Sequence, residues 1–223
     1  MEPYPRRSLA RNAPADSGSR IPVVIRVPPQ RGGWLEVICG PMFSGKSEEM
    51  IRRLRRAEIA GQRVRLFKPR IDDRYDAADV VSHAGVRMSA LPVHGSTELV
   101  ARARGCEVVG IDEIQFFEPT IVDAALALAD GGVRVIAAGL DQDFRRQPFG
   151  PMPELLARAE FVDKLQAVCH RCGGPATTTQ RLVDGRPAPY SGETIVVGAL
   201  DSYEARCREC HSAGQDAAKW LAA

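Results

Sequence analysis

The run from Gly40 to Ser47, GPMFSGKS, sets glycine, glycine, lysine and serine at the spacing G-x-x-x-x-G-K-[ST]. Glycines let a backbone curl until successive N–H groups face one anion, and a helix that follows adds the positive end of its dipole. On this reading Gly40, Pro41, Met42, Phe43, Ser44 and Gly45 form a phosphate loop, Lys46 reaches the β- and γ-phosphates of ATP, and Ser47 binds Mg2+. Downstream, IDEIQFF places an acid pair directly after an apolar run, where open α/β sheets present ligands. Asp112 is placed to hold Mg2+ beside the nucleotide, directly or through water, and Glu113 to act as general base. Phosphoryl transfer asks little of a protein beyond positioning, charge and a proton acceptor.

A second group of chemical residues lies near the C-terminus. Cys169-x-x-Cys172 and Cys207-x-x-Cys210 offer four soft ligands in pairs, the set that closes a tetrahedron around structural Zn2+. Residues 173–206 separate the pairs, a longer spacer than the common one of about 15 to 20 residues, so the intervening chain is expected to form a loop with its own role. His170 and His211 adjoin the ligands, but the cysteine set is complete without them. Cys39 and Cys106 fall in or beside apolar runs and read as inert core thiols. In GLDQDFRRQPFG, residues 139–150, Phe144 and Phe149 stand among polar residues, and from composition alone they read as local packing. Arg52, Arg53, Arg55 and Arg56 are interrupted by Glu48, Glu49 and Glu58, and read as a solvated face or subunit contact rather than a nucleic-acid site.

The elements that must position these residues alternate. Trp34 to Cys39 is an apolar strand. A helix follows from Ser47 with Met50, Ile51, Leu54 and Ala57 inward, the arginines outward and Gly61 as its stop. RVRLFKP is a second strand, and the polar stretch 70–92 reads as a loop over a site with one short strand near its end. Ser96 is expected to N-cap a short helix that ends at Gly105. Glu107 to Ile111 has the unbroken apolar character of a strand buried on both faces. Pro119 opens a helix to Ala129, VRVIAAGL is a fourth strand, and PMPELLARAEFVDKL, residues 151–165, predicts one further helix. Strands alternating with helices imply right-handed β-α-β units, hence an α/β fold with a parallel sheet flanked by helices.

The chain divides into residues 1–32, an arm rich in Pro, Arg, Gly and Ser; residues 33–165, the nucleotide-binding domain; and residues 166–223, a zinc-binding unit whose one strong strand is TIVVGAL. The last unit is short enough that a hydrophobic core alone is marginal. Across all 223 residues the composition, 44% hydrophobic and 26% charged, is that of a globular protein and excludes disorder throughout. A formal charge of +2 is too small for a general polyanion binder, so phosphate affinity must be local. No apolar run suits a membrane span, and the N-terminus lacks the apolar segment of a secretory signal. Its arginines weakly suggest a transit peptide, against which Glu2 and Asp16 count, so a cytoplasmic location is expected.

In order, GPMFSGKS, KPRIDDRY, SHAG, IDEIQFF, GLDQDFRRQPFG and YEARCREC resemble the motifs of the zinc-containing, type II thymidine kinases, from Trp34 to about His211. The resemblance implies a P-loop, RecA-like sheet with a small zinc-ribbon and lasso domain. It implies transfer of the ATP γ-phosphoryl group to the 5′-hydroxyl of thymidine or deoxyuridine in pyrimidine salvage, with Mg2+ and structural Zn2+. A homotetramer, feedback inhibition by dTTP and no nucleic-acid or membrane partner come with it. Residue by residue, Glu113 matches the general base, Ser47 and Asp112 the metal-side groups, and Arg74 and Asp72, in DDRY, positions near the transferred phosphate, where Lys46 of the phosphate loop also reaches. Met42, Gln115, Phe116, Leu140, Phe144 and Phe149 match the nucleoside pocket. The segment 179–203 is similar to the family's lasso, with Thr179, Val196 and Tyr203 as contact positions. The arm before Trp34 is longer than the family usually shows.

Another class of function competes with this expectation. DEIQ resembles a helicase box, which would suit a nucleic-acid-dependent ATPase with a zinc ribbon. Such motors usually need two ATPase cores, and residues 34–165 hold one. A GTPase would need an N-K-x-D motif, which is absent, and a pure zinc-binding module leaves the phosphate loop unexplained.

Overall fold

The computed structural model describes residues 32–70, 79–81, 87–191 and 203–212. Residues 1–31 of the arm, the segments holding Asp72, Arg74 and SHAG, and the TIVVGAL run with Val196 lie outside the described residues. Along the chain come β1 (Trp34–Cys39), α1 (Lys46–Ile59), β2 (Val64–Pro69), a ribbon of β3 (Asp79–Val81) and β4 (Arg87–Ser89), β5 (Leu91–Val93) and α2 (Ser96–Arg102). After them follow β6 (Val108–Ile111), α3 (Ile121–Asp130), β7 (Arg134–Gly139), α4 (Met152–Arg158) and β8 (Phe161–Lys164). Six strands make one sheet in the order β5-β2-β6-β7-β1-β8, every pairing parallel, as the alternation predicts.

Both faces of the sheet are covered, which is why its central strands read as continuous apolar runs. One face packs Leu35, Val37, Val109, Ile111, Val135 and Ala137 against α2, α3 and α4. The other packs Ile38, Leu66, Val108, Ile136 and Ala138 against Met50, Ile51, Leu54 and Ala57 of α1. Here α1 comes so close that a Cβ on Gly110 would stand 2.6 Å from a methyl of Leu54, so β6 needs glycine at that place. No helix among the described residues is long and apolar enough to cross a membrane.

Three local expectations need correction. The helix predicted over 151–165 stops at Arg158; Ala159 turns extended, and Phe161–Lys164 becomes β8, paired with β1 along Glu36–Cys39. Its residues alternate half-buried and exposed, the period of two that an edge strand shows. Ser96 is the first residue of α2 rather than its cap. Gly95 holds the cap position, and Glu118 accepts the Ser96 N–H at 2.7 Å, so a carboxylate just before α3 satisfies the helix end from outside. Nor do all the arginines of α1 face outward. Arg53 is buried and donates to Glu36 (2.7 Å), Glu49 (2.8 Å) and Asp163 (2.6 Å), while Arg134 donates to the other Glu36 oxygen at 2.6 Å. This network floors a cleft lined also by Trp34, Arg52, Arg56 and Phe161.

After β8 the chain changes character. Two short antiparallel sheets follow, β9 (Ala167–Val168) with β10 (Pro175–Ala176), and β11 (Thr178–Val183) between β12 (Arg186–Pro187) and β13 (Tyr203–Arg206). Their apolar core is small, with Ala167, Cys169, Ala176 and Ala205 at its centre.

Candidate active site

Three loops meet at the carboxyl edge of the sheet because β7 lies between β6 and β1. The loop after β1 curls at once: Gly40 has φ 141°, and a Cβ there would stand 2.5 Å from the Leu165 carbonyl. Phe43 (φ 66°) and Gly45 (φ 83°) are also left-handed, and α1 starts directly after them at Lys46. The Lys46 ammonium donates to the Pro41 carbonyl at 2.8 Å, and so does the Ser44 hydroxyl. Burial pushes the Lys46 pKa down, against the opposing pull of Glu113, Asp112 and Asp141. Burial likewise lifts the Cys39 thiol to about 11, which keeps it protonated and inert as its apolar setting predicts.

After β6, Asp112 is buried and its carboxylate accepts from the Ser47 hydroxyl at 3.1 Å. Burial first, and the adjacent Glu113 charge second, hold the Asp112 pKa well above the usual carboxylate range; the Glu113 N–H, Ser47 and Lys46 only partly offset them. Serine hydroxyl and carboxylate together form an all-oxygen donor pair beside the phosphate loop, the kind that suits Mg2+. Glu113 itself is left-handed (φ 51°, ψ 39°), a strained backbone for a non-glycine residue, and its N–H donates to Asp112 Oδ1 at 3.0 Å.

Gln115 is buried, and both ends of its amide are committed within the protein. Its Nε2 donates to Glu113 Oε2 at 2.5 Å, and its Oε1 accepts the Leu140 N–H at 3.0 Å. The protein leaves room for it with two glycines. A Cβ on Gly139 would stand 2.5 Å from Gln115 Oε1, and one on Gly150 would stand 2.3 Å from the Gln115 carbonyl. Phe116 and Phe149 meet edge to face at 5.5 Å. Phe144 is buried under the guanidinium groups of Arg145 (5.4 Å) and Arg181 (5.7 Å). Thr179, buried in β11, accepts the Met42 N–H at 3.0 Å, and Tyr203 is half-buried at the start of β13. Asp72, Arg74 and Val196 lie outside the described residues.

Asp141 escaped the sequence reading. It is buried after β7, pairs with Lys164 at 2.7 Å, and its charge acts on both Lys46 and Cys39. The signal that singled out Asp112, an acid just past a buried strand, applies equally to it.

In the small unit the sulfur atoms of Cys169, Cys172, Cys207 and Cys210 all lie within 4.8 Å of one another, and Cys172 and Cys207 are 3.7 Å apart. Thiolates bonded to zinc at about 2.3 Å in a tetrahedron stand about 3.8 Å apart, so the donor set fits that metal. Backbone turns shape each pair: the Gly173 N–H donates to the Cys169 carbonyl at 2.9 Å, and the His211 N–H to the Cys207 carbonyl at 3.0 Å. The His211 ring stands apart from the four sulfurs, with Nε2 against the Phe144 carbonyl at 2.9 Å.

A parallel sheet with a phosphate loop after one strand, an acid pair after another and a four-cysteine unit alongside defines a P-loop nucleotide enzyme. Against known proteins, residues 33–211 match the family model described as Thymidine kinase. A thymidine kinase of Deinococcus deserti is 59% identical over 194 residues, covering 82% of this chain and 96% of that one. The chain belongs to the thymidine kinase family, type II. Among solved structures, the Legionella pneumophila ATPase DotB resembles 58% of this chain at 19% identity and a TM-score of 0.37. The chain spans 35% of that protein's length.

Proposed function

We propose that this chain transfers the γ-phosphoryl group of ATP to the 5′-hydroxyl of thymidine, giving dTMP and ADP, and that it accepts deoxyuridine in the same way. Residues 40–47 cradle the triphosphate. Lys46 exchanges its Pro41 carbonyl for the β- and γ-phosphates, a move its 2.8 Å contact prepares. Ser47 and Asp112 hold Mg2+, which neutralises charge developing on the phosphates. Glu113 takes the 5′-hydroxyl proton as the O5′–P bond forms and the bond from phosphorus to the ADP oxygen breaks. Gln115 acts behind it, aiming the carboxylate rather than touching the nucleoside as the resemblance implies. Met42, Phe116, Leu140, Phe144, Phe149, Thr179 and Tyr203 wall the nucleoside pocket, and Asp72, Arg74 and Val196 complete the site.

The observation that carries this reading is the Ser47 hydroxyl at 3.1 Å from Asp112, with Glu113 beside them at the mouth of the phosphate loop. Cys169, Cys172, Cys207 and Cys210 hold Zn2+ in a structural role, since four thiolates leave no open coordination position. The division into an arm at 1–32, a kinase domain at 33–165 and a zinc and lasso domain at 166–223 belongs to the same reading. So do a homotetramer, feedback by dTTP, a cytoplasmic location and the lack of nucleic-acid or membrane partners. Thymidine-dependent ADP release tests the activity: equal release with and without nucleoside rejects it, and stimulation by single-stranded DNA alone would point to a motor ATPase.

A further inference from the structure

We infer that the Thr179 hydroxyl is a positioning group that sets the phosphate loop from the zinc unit, so that ATP affinity depends on a side chain outside the nucleotide-binding sheet. The inference rests on the kinase reading and deepens it, because Thr179 otherwise counts only as a wall of the nucleoside pocket.

The donor in this contact is unusual for its place. Met42 lies inside the phosphate loop, where backbone N–H groups are expected to face the anion. Its N–H instead points to Thr179 Oγ1 at 3.0 Å, across 137 residues of chain. That donor is spent on the protein, and it lies between Gly40 (φ 141°), a turn that glycine adopts freely, and Phe43 (φ 66°), a left-handed non-glycine backbone that needs outside support to persist. A hydrogen bond to the residue between them supplies that support.

The acceptor is held in turn. Thr179 is buried, and its backbone lies opposite Ala205 in the β11–β13 pairing, with its neighbour Thr178 opposite Arg206 and donating its hydroxyl to the Arg206 carbonyl at 2.7 Å. β13 runs directly into Cys207. On the other side β11 follows β10, whose partner β9 runs into Cys169. Both cysteine pairs therefore lie next to strands that fix Thr179. A second tie runs the same way: the Ser212 N–H donates to Gln180 Oε1 at 2.8 Å, fastening the chain beyond Cys210 to β11. The four-cysteine cluster thus holds the strand that holds the loop.

Two substitutions separate this role from contact with the base. Thr179→Val keeps the shape and methyl group but removes the acceptor, and Thr179→Ser keeps the acceptor and removes the methyl. ADP affinity is measured by calorimetry without nucleoside, well below each variant's melting temperature, beside the thymidine KM. Thr179→Val should weaken ADP binding about tenfold, because the Met42 N–H is left without its partner, whereas Thr179→Ser should bind ADP within about twofold of the parent. ADP affinity unchanged in Thr179→Val, or equally reduced in both variants, overturns the inference. Lowered stability with normal ADP binding overturns it too, since that is the mark of a merely structural threonine. Failure of the kinase reading is read separately, as absence of thymidine-dependent ADP release from the parent protein.

Discussion

Glu36 and Asp112 stand on or just past the two strands that flank β7, are buried to nearly the same degree (5% and 4% exposed), and carry opposite electrostatics. Burial raises the pKa of both. At Glu36 that penalty is outweighed by hydrogen bonds from Arg134 and Trp34 and by the Arg134 and Arg53 charges, so its pKa falls below the ordinary value. At Asp112 the neighbouring charge is another carboxylate, Glu113, and the pKa rises. One sheet thus surrounds a buried acid with cations towards one edge and leaves another short of them at the carboxyl edge. The difference separates a charge that serves the fold from one that awaits a ligand.

The comparison is broken most forcefully at Arg53. Replacing it by methionine takes one cationic partner each from Glu36, Glu49 and Asp163, and the loss on removing one partner of a buried ion network is about 3–5 kcal/mol. Denaturant unfolding should show that loss, while kcat of the folded fraction stays near the parent value. A collapse of kcat with unchanged stability would erase the distinction between the two edges.

Glu113→Gln tests the opposite edge. Turnover should fall about 100-fold or more, the scale for a general base, with nucleotide affinity and unfolding free energy preserved. Unchanged turnover would remove Glu113 from its role. Gln115→Leu sharpens the same point at lower cost. It frees the Glu113 carboxylate and the Leu140 N–H, so kcat should drop about tenfold with a smaller change in thymidine KM. A change confined to KM would return Gln115 to the substrate wall.

The phosphate loop, the acid pair and the cysteine pairs were readable because each is contiguous: spacing along the chain is also spacing in the site. What escaped the sequence depends on distant partners. Arg53 looks like its neighbours Arg52, Arg55 and Arg56 until Glu36 and Asp163, 17 and 110 residues away, close on it. β8 is four residues long, and pairing with β1 rather than propensity makes it a strand. Ser96 has the chemistry of a cap, but Glu118, 22 residues on, reaches the helix end with a charge. Gln115 lies in the IDEIQFF motif and reads as part of the nucleoside pocket; its contact with Glu113 was not legible, because it depends on Gly139 and Gly150, distant glycines that clear space for it.

The gentlest test of the comparison is acid. Because the pKa of Glu36 in the folded protein lies below the ordinary 4.5, its pairing contributes stability that is fully present above that pH. This contribution is lost as the pH falls through the lowered folded value, where Glu36 takes up a proton and Arg53 and Arg134 lose a counter-charge. Unfolding free energies measured between pH 7 and pH 3 should therefore fall in the acid range, and Glu36→Gln should lower stability at pH 7 while flattening that decline. Asp112→Asn should do the reverse at neutral pH. It removes a carboxylate whose raised pKa marks a destabilising charge, so the variant should be at least as stable as the parent while losing turnover. If both substitutions moved stability in the same direction, the two buried acids would not be in opposed environments.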